Sequence, residues 1–116
     1  MLTNSELNKI ANTITESVLR LFSNSLKKVI LYGSYARGDN DEKSDIDIFV
    51  LVDMPIGELS KYNDEISKVA SRLSLETERC TTISISVQDL STYTKYQEFL
   101  PYFRNINAEG VMIYAA

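Results

Sequence analysis

The stretch from Lys28 to Val52, KVILYGSYARGDNDEKSDIDIFVLV, decides the fold. Lys28 to Tyr32 is a short apolar run of the kind that forms a buried strand. Gly33 breaks it. Residues 34–44 are rich in Gly, Asp, Asn and Ser, the composition of a loop or a short helical turn. From Asp45 to Val52 the chain reads as a second strand, in which Ile46, Ile48 and Val50 alternate with Asp45 and Asp47 at a period of two. Two strands joined by a polar loop thus place Gly33-Ser34 at one end of the loop and Asp45/Asp47 at the other.

The flanks extend the pattern. Before the first strand, Leu7, Ile10, Ala11, Ile14, Val18, Leu21 and Phe22 recur at spacings of three and four, predicting a helix from about Ser5 to Ser23. After a turn at residues 53–55, a second helix is expected from Ile56 to Leu75, with Leu59, Tyr62, Ile66, Val69, Ala70 and Leu73 on one face. Thr81 to Val87 reads as a third strand with Ile83, Ile85 and Val87 on one side. Asp89 or Ser91 is placed to cap a helix running toward Phe99, and Gly110 precedes a last strand, Val111 to Tyr114. The order α-β-(loop)-β-α-β-α-β predicts a mixed sheet with helices packed on it.

Composition narrows the function. The 116 residues suit one domain spanning 1–116, and their 44% hydrophobic and 24% charged content is ordinary for a globular chain. No apolar run approaches the roughly 20 residues that span a bilayer. The start, MLTNSELNKI, lacks the basic and apolar regions of a secretory signal. With a lone Cys80, it points to the reducing cytoplasm. The absence of histidine excludes His-ligated zinc and Ser-His-Asp catalysis. A net charge of −4 argues against stable nucleic-acid binding, which needs a basic face. It does not argue against a nucleotide held through a cation.

Asp45 and Asp47 stand at i and i+2 on a strand, so both point to one face with Cα atoms roughly 6.6–6.8 Å apart. Like charges so close destabilise each other unless a cation sits between them. Oxygen ligands favour magnesium or manganese. A solvated outer face is the plain alternative for an Asp-x-Asp pair. At Gly33 the missing Cβ lets backbone amides approach a ligand, and a helical turn beginning at Ser34 would offer free N–H groups and a hydroxyl to an anion; a simple N-cap is the alternative. Arg37 would neutralise phosphate oxygens or pair with Asp39 or Asp41. A P-loop is rejected, because Asp39 stands where its lysine belongs.

GSYARGDNDEKSDIDIFV resembles the signature of the DNA polymerase beta-like nucleotidyltransferase superfamily: Gly-Ser, ten residues, then Asp-x-Asp. Ala36-Arg37-Gly38 and Ser44 match the fuller form found in minimal nucleotidyltransferases. The resemblance implies an α+β fold with a mixed, largely antiparallel sheet of about four strands. It implies that Gly33 and Ser34, with Arg37 and Ser44, hold a nucleoside triphosphate, ATP above all, and that Asp45 and Asp47 bind magnesium and carry catalysis. The implied reaction is transfer of AMP from ATP to a hydroxyl of a partner protein. In this family the partner of a stand-alone domain is often a helical HEPN protein, in a toxin–antitoxin couple or a two-subunit transferase. The aromatic C-terminal region (Tyr93, Tyr96, Phe99, Tyr102, Phe103) is either its docking surface or ordinary core, and a homo-oligomer is left open.

The chain departs from the family at one place. Active members carry a third carboxylate on a neighbouring strand, here residues 81–87, whose site-facing positions are Cys80, Thr82, Ser84 and Ser86. Thr82 is the expected vacated position. Glu76 and Glu78 are the nearby substitutes; Asp53 lies out of reach at the far end of its strand, and Asp89 reads as a helix cap. A catalytically degenerate module that holds a nucleotide or a partner is therefore the alternative to an active transferase. A template-dependent polymerase and an antibiotic-modifying enzyme fit poorly, for want of template-gripping or C-terminal domains.

Overall fold

The computed structural model describes residues 2–77 and 80–116. It holds a four-stranded sheet in the order β3-β2-β1-β4, built from β1 (Leu26–Tyr32), β2 (Ile46–Val52), β3 (Ile83–Asp89) and β4 (Val111–Ala115). β1 runs antiparallel to both β2 and β4, and β2 runs parallel to β3. The sheet is thus α+β, mixed and mostly antiparallel, as expected. No helix among the described residues is long and apolar enough to cross a membrane.

The first helix, α1 (Asn4–Phe22), begins at a capping box in which Thr3 and Glu6 satisfy each other's backbone N–H groups. Its stripe Ile10, Ile14, Val18 and Phe22 is buried on the sheet. The chain leaves it through Ser23, at φ 49, and a 3-10 turn over Ser23–Ser25. β1 opens at Leu26, two residues earlier than the pattern indicates, because Leu26 is buried and pairs with Val52.

The expected helix from Ile56 to Leu75 is two α-helices, α3 (Ile56–Leu59) and α4 (Asn63–Glu76), joined by a 3-10 turn at Ser60–Tyr62. The path stays right-handed throughout, and the tightened turn sets Tyr62 against the Phe22 ring, 4.8 Å between centroids. Here α1, α3 and α4 cover one face of the sheet, over Val29, Leu31, Ile46, Ile48, Val50 and Ile83.

The other face is covered too. Asp89 caps α5 (Leu90–Tyr96), accepting from the Thr92 N–H at 2.9 Å. A further helix, α6 (Pro101–Glu109), was not anticipated; Pro101 starts it at the position where a missing N–H costs nothing. Tyr93, Phe103 and Ile106 from this pair close over Ile30, Phe49 and Leu51. The aromatic C-terminal region therefore divides. Tyr93 and Phe103 are core, whereas Tyr96, Phe99 and Tyr102 are exposed.

Phe49 is fully buried and meets the rings of Tyr93, Tyr102 and Phe103. Phe49→Ala leaves a cavity under α5 and α6 and is expected to lower stability by about 3–5 kcal/mol in denaturant unfolding.

Candidate functional site

The site forms where β1 ends and β2 begins. In the antiparallel register Tyr32 faces Asp47, and in the parallel one Asp47 lies beside Ser84. Gly33 follows at φ 78, a left-handed conformation that side chains resist. A second reason for glycine is local: a Cβ here would collide with the Asp47 carboxylate. The turn then enters α2 (Ser34–Arg37), whose first donated bonds are those of Ala36 and Arg37 to the Gly33 carbonyl, 3.1 Å each. The amides of Ser34 and Tyr35 head that turn ahead of them. Gly38, at φ 81, ends it.

The two aspartates differ in setting. Asp45 is exposed, whereas Asp47 is half-buried. Burial pushes the Asp47 carboxyl above its ordinary value, the Asp45 charge pushes it the same way, and Arg37 opposes both. Burial is the larger cause, and the Asp45 contribution is the repulsion expected of two close carboxylates. The pair fits a divalent ion that also takes phosphate and water oxygens.

The other expected residues fall as follows. Arg37 reaches Asp39 at 3.2 Å, as one of its two anticipated partners, and also Glu109 of α6 at 3.3 Å. Asp41 instead braces the loop, its carboxylate accepting from the Lys43 N–H. Ser44 joins that brace through its Oγ, which accepts from the Asp41 N–H at 2.9 Å. The Ser34 hydroxyl makes no hydrogen bond among the described residues. Gly33, Ser34, Arg37, Asp45 and Asp47 thus lie around one end of the sheet, with Ser44 supporting the loop between them.

β3 brings no carboxylate beside Asp47; its one acidic residue, Asp89, pairs with Val52 at the far end. The residue directly beside Asp47 is Ser84; Thr82, the expected position, lies one step further, where its carbonyl accepts from the Ile46 N–H at 2.9 Å. Glu76 lines a cavity with Lys9 and Thr13 between α1 and α4, on the opposite side of the sheet. Glu78 lies outside the described residues. Among the described residues no group of three or more Asp, Glu, His or Cys side chains converges to hold a metal.

Two contributors escaped the sequence reading. Tyr32 presents its side chain on the Asp47 face, its hydroxyl 3.2 Å from that of Tyr102. Burial and the Tyr102 hydroxyl push its phenol far above its usual value, so it stays neutral. The period of two along β1 already placed it there. Glu109 carries no such signal, because the fold alone brings it to Arg37.

The family model described as nucleotidyltransferase domain matches residues 11–104. This chain belongs to that family. A Methanocaldococcus jannaschii protein named "Putative protein adenylyltransferase" is 42% identical over 72 residues, which cover 61% of this chain and 70% of that protein. A solved structure of a "toxin-antitoxin with AMP-PNP" superposes with a TM-score of 0.57 at 18% identity, over 91% of this chain and 73% of that one. A solved structure described as a "putative nucleotidyltransferase from Sulfolobus solfataricus" gives 0.58 at 22% identity, over 96% of this chain and 84% of that one. The two structures share the fold; the sequence matches establish the family.

Asp47 supplies a pH test of the site. Its folded-state value is raised, so ionisation costs stability that is present at low pH and is lost as pH rises through that value. Without divalent cations, Asp47→Asn is expected to melt higher than the wild type at neutral pH. The advantage shrinks as pH falls and disappears below the ordinary carboxylate range; paired thermal melts across that range check it.

Proposed function

We propose that this chain is a magnesium-dependent adenylyltransferase that moves AMP from ATP onto a hydroxyl of a partner protein. The observation that carries the reading is the meeting of the Gly33-Ser34 turn with Asp47, so close that only glycine fits. It joins an anion-binding backbone to a carboxylate pair in need of a cation. The Methanocaldococcus jannaschii relative, named as a protein adenylyltransferase, and the AMP-PNP in the toxin-antitoxin neighbour support the same chemistry.

In this reading the amides of Ser34 and Tyr35 and the free Ser34 hydroxyl bind the β- and γ-phosphates. Asp45 and Asp47 would hold magnesium, which when bound neutralises the polyphosphate charge. Arg37 leaves Asp39 or Glu109 to meet a phosphate oxygen, at small cost, because exposed ion pairs are weak. The acceptor hydroxyl forms a bond to the α-phosphorus, the bond from phosphorus to the bridging oxygen breaks, and pyrophosphate departs. The acceptor's proton goes to solvent. Such transfer rests on positioning and charge stabilisation rather than on a covalent enzyme intermediate.

The partner is read as a helical HEPN-type protein in the cytoplasm, with this chain as the antitoxin or the catalytic subunit. A second reading is favoured by one observation: Ser84 and Ser86 of β3, with Thr82 just before it, flank β2 where the family resemblance implies a carboxylate. In that reading the chain holds nucleotide or partner without transferring anything.

Incubation with labelled ATP, magnesium and the product of the neighbouring gene separates the two. Transfer of label to that protein is expected, and Asp45→Asn/Asp47→Asn should lower its rate on the order of 100-fold or more, the scale of losing a charge-stabilising group. Magnesium-dependent ATP binding without transfer would establish the second reading. If neither ATP binding nor transfer occurs, the transferase reading falls, and so does the second reading in its nucleotide-holding form.

A further inference from the structure

A cavity adjoins the phosphate-binding turn and is not used by the reaction as described so far. Its walls are Tyr32 and Gly33 at the end of β1, Arg37 of α2, and Tyr102, Asn105 and Glu109 of α6. We propose that it receives the nucleoside of the transferred nucleotide, with the Tyr102 ring and the Asn105 carboxamide as its contacts. The inference rests on the reading that Gly33 and Ser34 hold the polyphosphate.

Continuity is the first argument. A nucleoside is tethered to its phosphates, so it must occupy space that opens from the phosphate site. This cavity shares Gly33 and Arg37 with that site. The cavity lined by Glu6, Lys9 and Thr13 lies between α1 and α4, across the sheet. Another, lined by Ala70, Ser74, Leu75 and Thr82, approaches the aspartates only through Thr82.

Chemistry is the second argument. Tyr102, Asn105, Ile106 and Glu109 stand at i, i+3, i+4 and i+7 of α6, one continuous helical face turned to the cavity. Tyr102 is 41% exposed although its ring is braced at 5.9 Å by Tyr32 and 5.6 Å by Phe103, and its hydroxyl meets that of Tyr32. A ring already fixed loses little entropy when a base stacks on it. The Asn105 side chain makes no hydrogen bond among the described residues, leaving a donor and an acceptor for a base edge or a ribose hydroxyl. Glu109, one turn further, holds Arg37 at the phosphate end of the same cavity.

The test compares two probes, ATP and inorganic tripolyphosphate, each bound with magnesium to the intact chain. Tripolyphosphate has the phosphates without the nucleoside. Tyr102→Ala is expected to weaken ATP roughly 5- to 100-fold, the scale of one base-stacking contact, and to leave tripolyphosphate unchanged. Tyr102→Phe, which keeps the ring and the packing, should retain most of the ATP affinity. Asn105→Ala should weaken ATP selectively and less. Equal loss for both probes, or undiminished ATP binding in Tyr102→Ala, overturns the inference while leaving the phosphate reading in place. A wild type that binds neither probe overturns the phosphate reading and the inference with it.

Discussion

The approach of the Asp47 carboxylate to the backbone of Gly33 is the constraint on which the rest depends. It is fixed by the pairing of β1 with β2, which sets Tyr32 opposite Asp47. The pairing cannot slip by one residue, because a one-residue shift exchanges the two faces of a strand. Asp47 would then turn into the hydrocarbon under α1 and α4, and Ile46 and Ile48, both fully buried, would turn out of it. Burial of the strand interior therefore enforces the geometry at its mouth. From Ile48 onward β2 is covered on both faces, so Asp47 projects from a rigid strand, with Asp45 in the residue just before it. Glycine at position 33 follows, since a larger residue would be strained at φ 78 and its Cβ would displace the carboxylate.

Much of this was legible in the sequence because it is local. The period of two in Asp45-Ile46-Asp47-Ile48 placed the carboxylates on one face, and the three-and-four spacing from Leu7 to Phe22 drew α1 to within one residue at each end. Asp89 was a recognisable cap. What stayed illegible depends on distant partners. The pairing of Arg37 with Glu109 joins residues 72 apart. The parallel pairing of β2 and β3, which sets Ser84 beside Asp47, needs the helical crossover between them. α6 was missed because its apolar face is narrow, Phe103 and Ile106 being its only buried residues. That omission also hid the second covered face of the sheet, although the unbroken apolar run from Ile48 to Val52 is how a strand buried on both faces reads.

Charge ties the site to the composition of the whole chain. The loop and strand from 39 to 47 carry Asp39, Asp41, Glu42, Asp45 and Asp47 against a single Lys43, and Arg37 beside them is shared between Asp39 and Glu109. Without a cation such a region repels a polyphosphate; Asp47 itself is raised first by burial and then by the Asp45 charge. The net charge of −4 offers no basic field to draw an anion in from solution. In the proposed function nucleotide and cation would therefore arrive together or in close succession, each removing the obstacle to the other. A positive patch that did this work unaided would hold any polyanion, nucleic acid included. An acidic site closed by a cation would instead favour a ligand that shares that cation, and in the proposed function the remaining discrimination falls to the walls around it.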